Sequence, residues 1–119
     1  MDIEYGPLTF NIEYNSGFLE LTIYKTEDTQ LTLSDSGKLL DVYVTDETRK
    51  KDIEYSVYPQ YELTSYSKMY GVGEKVAVIN VDTSTELKEP WHITLCGRSS
   101  KSLPDETKEI AYSDVINRL

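Results

Sequence analysis

A period of two is the feature that most constrains this chain. Leu8, Phe10, Ile12 and Tyr14 alternate with Thr9, Asn11 and Glu13, so an extended backbone places the apolar set on one face and the polar set on the other. Asn15-Ser16-Gly17 follows, and Gly17 supplies the positive φ that a tight turn requires. Leu19, Leu21 and Ile23 then repeat the alternation. These two segments are predicted to form a hairpin.

The same pattern continues along the chain. Thr29–Leu33 reads as a short strand with Leu31 and Leu33 inward, and Ser34-Asp35-Ser36-Gly37 as a turn. Leu40, Val42 and Val44 form the next inward row. The charged run Thr45–Asp52 reads as a loop, and Ile53, Tyr55 and Val57 resume the alternation until Pro59 interrupts it. Tyr61–Tyr66 reads as a further strand near an edge, because Pro59 cannot donate a ladder hydrogen bond. Val76–Val81 is apolar at successive positions, which predicts a central strand covered on both faces. Trp91, Ile93 and Leu95 close the series, with His92, Thr94 and Cys96 on the other face.

Beyond residue 101 the period changes. Ser102, Pro104 and Asp105 resemble a helix start, and Ile110, Ala111, Val115 and Leu119 fall at helical spacing. A strand near Glu109–Tyr112 is the alternative. The fold class expected is therefore all-β: an antiparallel β-sandwich, jelly-roll or Greek-key like, of seven to eight strands with a short C-terminal helix. Residues 1–101 would form the sandwich, and 102–119 a helix or tail packed on the same domain. At 119 residues the chain buries roughly two-thirds of its unfolded surface and needs no disulfide or metal to fold.

Charge is the second constraint. The net charge is −9, and it is uneven. Residues 1–47 hold ten acids and two bases, whereas 48–119 hold eleven acids and ten bases. An acidic surface repels phosphates, which argues against direct nucleic-acid binding and favours a protein partner with a basic surface. The excess falls on the first four expected strands and their turns. If those strands share one exposed face or edge, the charge forms a patch.

Motifs for chemistry are sparse. Cys96 is the one cysteine and His92 the one histidine, too few for a structural zinc tetrad. Four residues apart on a strand, they stand roughly 13 Å from each other, too far for direct proton transfer. Gly71-Val72-Gly73 lacks the third glycine of a dinucleotide fingerprint and precedes a strand instead of following one. Loops around Asp35, Asp46 and Asp82 are the places where carboxylates for calcium would have to converge. The expectation is a non-enzymatic chain with no cofactor.

Ten tyrosines stand against two phenylalanines and one tryptophan. Tyrosine offers a wide apolar ring with a polar tip, which favours interfaces. Alternation points Tyr55 inward and assigns Tyr58, Tyr61, Tyr66 and Tyr70 to a partner-binding surface, together with Asp46 and Glu47. Arg49-Lys50-Lys51, beside Asp46, Glu47 and Asp52, reads as a self-neutralising loop. The function expected is an acidic protein-binding module, such as an inhibitor, immunity or anti-defence protein. The alternatives are an extracellular accessory sandwich that binds carbohydrate or calcium, and a structural subunit of an assembly or virion. A lone cysteine and an acidic N-terminus with no apolar run behind it favour a cytoplasmic location, secretion being the alternative. No stretch is apolar and long enough to span a membrane.

Overall fold

A computed structural model of the chain describes residues 1–15, 17–27, 31, 38–46, 51–57, 72–82, 90–97 and 102–116, with backbone alone at 51–53. Eight strands are present: β1 (Asp2–Tyr5), β2 (Leu8–Asn15), β3 (Phe18–Lys25), β4 (Leu40–Asp46), β5 (Lys51–Val57), β6 (Lys75–Asp82), β7 (Trp91–Cys96) and β8 (Lys108–Ala111). A short helix, α1 (Tyr112–Ile116), follows. The strands make two antiparallel four-stranded sheets, ordered β1-β2-β3-β6 and β5-β4-β7-β8. The expected antiparallel all-β sandwich is what the chain forms.

Alternation places the core. Leu8, Phe10 and Ile12 of β2, Leu19, Leu21 and Ile23 of β3, Val42 and Val44 of β4, and Ile93 and Leu95 of β7 are all buried on the inner faces. Each such side chain contributes about 1.5–3 kcal/mol relative to exposure. Tyr55 is half-buried against this core, as its inward parity predicts.

Two turns explain the first sheet. Tyr5 pairs with Leu8, so Gly6-Pro7 is a two-residue loop. Gly6 has φ +56° and Pro7 fixes a negative φ, the sign pattern of a II′ hairpin turn. Asn15 pairs with Phe18 across the expected second turn, where Gly17 has φ +86°.

Three expectations change. First, β6 is an edge strand among the described strands, bonded to β3 alone. Val78 is 41% exposed and Asn80 is exposed, so the strand is not covered on both faces. The apolar run has another cause. The register shifts beside Ile23/Tyr24, with Tyr24 opposite Lys75 and Ile23 opposite Ala77. Val76 is the extra residue of a bulge, and it is buried next to Ala77, which also packs on the core. The slip accounts for Val76 beside Ala77, and the outward, exposed Val78 between the inward Ala77 and Ile79 completes the apolar string.

Second, Thr45, Asp46, Lys51 and Asp52 are not loop. Thr45 pairs with Asp52 and Asp46 with Lys51, because ladder hydrogen bonds use backbone groups whatever the side-chain charge. Third, of the two readings of the C-terminal segment, the strand near Glu109–Tyr112 forms as β8 and the expected short helix is confined to the residues after it. Ile110 faces inward opposite Ile93, and only Tyr112–Ile116 is helical. The strand at Thr29–Leu33, apart from a half-buried Leu31, and the one at Tyr61–Tyr66 lie outside the described residues.

The two sides of the sandwich differ. On the β1 side, the buried Tyr5 hydroxyl lies 2.9 Å from the Glu106 carbonyl and 3.1 Å from that of Pro104, to which it donates. It accepts from the Gly97 N–H at 2.8 Å. Lys108 Nζ donates to the Glu4 carbonyl at 3.1 Å. These bonds tie β1 to the segment around β8. On the other side, β5 and β6 flank an open groove of about 310 Å3.

Candidate interaction face

The register of the first sheet decides which side chains stand together outside. With Phe10, Ile12 and Tyr14 turned inward, Asp2 and Glu4 of β1, Glu13 of β2, Glu20 of β3 and Asp82 of β6 all point outward and are exposed. Among the described residues, Lys75 is the one base on that face. Five carboxylates on strands about 4.8 Å apart give a concentrated negative potential.

Glu13 and Glu20 are direct cross-strand partners. Like charges placed opposite each other, with Cβ atoms roughly 4.5–5.5 Å apart, destabilise a sheet. Elsewhere the face satisfies itself: Asn11 Nδ2 donates to Asp2 Oδ1 at 2.7 Å. Two apolar side chains lie among the acids. Phe18, opposite Asp82, is 61% exposed, and Val78 sits opposite Thr22.

The acidic N-terminal half thus divides between the sheets. β1, β2 and β3 share one exposed face, while β4 belongs to the other sheet. There Asp41 is neutralised by Lys38 Nζ at 3.1 Å and accepts from Ser56 Oγ at 3.1 Å. Asp46 was expected at the partner surface. It is instead fully buried, because its parity on β4 matches that of Val42 and Val44 and turns it inward. Glu47, Tyr58, Tyr61, Tyr66 and Tyr70 lie outside the described residues.

The outer face of the second sheet is chemically different. Tyr43 stands between Glu54 and Thr94. Desolvation raises its pKa above the usual 10.0, with the nearby Asp41, Glu54 and Cys96 adding to the rise and Lys38 opposing it. His92 and Cys96 do share this face of β7, both half-buried, at the strand separation that precludes direct proton transfer. Among the described residues, no group of three or more His, Cys, Asp or Glu side chains converges to hold a metal ion. Asp82, at the end of β6, belongs to the acidic face. Val72-Gly73 is the expected turn feeding a strand. Gly73, at φ +89°, donates its N–H to the Lys25 carbonyl at 2.6 Å, closing the end of β3.

Sequence reasoning missed β1, and with it Asp2 and Glu4 as members of the face. The signal was present: Asp2 and Glu4 alternate with Ile3 and Tyr5 ahead of Gly6-Pro7. Among the described residues, no helix is long and apolar enough to cross a membrane. Comparison with protein-family models, with curated proteins and with solved structures finds no match to the chain.

Proposed function

We propose that this chain is a non-enzymatic, acidic protein-binding module that covers a basic surface of its partner, as an inhibitor, immunity or anti-defence protein would. The observation that carries this reading is the Glu13–Glu20 pair, set in the middle of a face with five exposed carboxylates. Such a pair costs stability in the free protein, and a Lys- or Arg-bearing surface laid over it would relieve the repulsion. Phe18 and Val78 add apolar contact area within the charged field, the combination of anchor and charge that specific interfaces use. The same field disfavours phosphate backbones, so the partner is a protein and not a nucleic acid.

The test is affinity capture from the native host with the parent chain and with the double variant Glu13→Lys/Glu20→Lys. The proposal expects a basic protein that the parent retains at low salt, releases at high salt, and the variant does not retain. An identical retained set for both chains would refute it.

A further inference from the structure

We draw no further inference here: the strongest candidate, the exposed acidic face of the first sheet around Glu13 and Glu20, belongs to the site already described, and nothing among the described residues shows what covers it.

Discussion

The Tyr5 hydroxyl makes three of the contacts that tie the β1 side of the sandwich to the segment around β8. That oxygen accepts from the buried Gly97 N–H and shares its proton between the Glu106 and Pro104 carbonyls. Removing it leaves the Gly97 N–H without its protein acceptor, which costs about 1–3 kcal/mol. Tyr5→Phe should therefore lower the urea midpoint by that equivalent with little change in slope, since the surface exposed on unfolding is the same. An unchanged midpoint would mean that water replaces the hydroxyl at no cost. This contact was not legible in the sequence. Alternation can place Tyr5 inward, but its acceptor and donor roles involve backbone groups more than ninety positions away, and backbone groups carry no residue code. Gly97 is likewise silent in the sequence, although a Cβ there would lie 2.6 Å from Leu103 Cβ and 3.0 Å from the Tyr5 oxygen.

At the scale of elements, legibility followed phase. β2, β3, β4 and β7 were readable because their inward residues alternate without a slip. β6 was misread because the bulge at Val76 and the outward Val78 together make one apolar string. β8 stays open between helix and strand in the sequence because four residues with one buried side chain, Ile110, cannot be told from a helix turn by spacing. The hairpin of β2 and β3 is legible in its alternation, and its outer face sets Glu13 opposite Glu20. That face makes a further prediction. Glu20→Lys places a cation opposite Glu13 and should raise stability by about 0.5–1 kcal/mol in a low-salt denaturation experiment. The gain should shrink in high salt. A loss of stability would show that the two carboxylates are already compensated. Carried into the same capture experiment, Glu20→Lys alone should weaken the interaction while it stabilises the fold, the trade-off expected where a residue is kept for contact.

At the scale of the molecule, the sequence established that charge is uneven but not how the fold distributes it. The pairing of β3 with β6 joins residues 18–24 to 75–82, and no local pattern specifies so distant a partner. That pairing brings Asp82 to the face begun by Asp2, Glu4, Glu13 and Glu20. The order of the second sheet sends Asp41 to the opposite side, where Lys38 neutralises it, and the parity of β4 removes Asp46 from the surface. The proposed function requires the acidic character to act as one face and not as a diffuse property. Amide chemical-shift mapping of the full chain during titration with hexalysine tests this most directly. Saturable shifts are expected on the outward positions of β1, β2, β3 and β6, and their loss in the Glu13→Lys/Glu20→Lys variant. Shifts spread equally over Glu54, Asp105 and Glu109 of the rest of the surface, and unchanged by that variant, would contradict it.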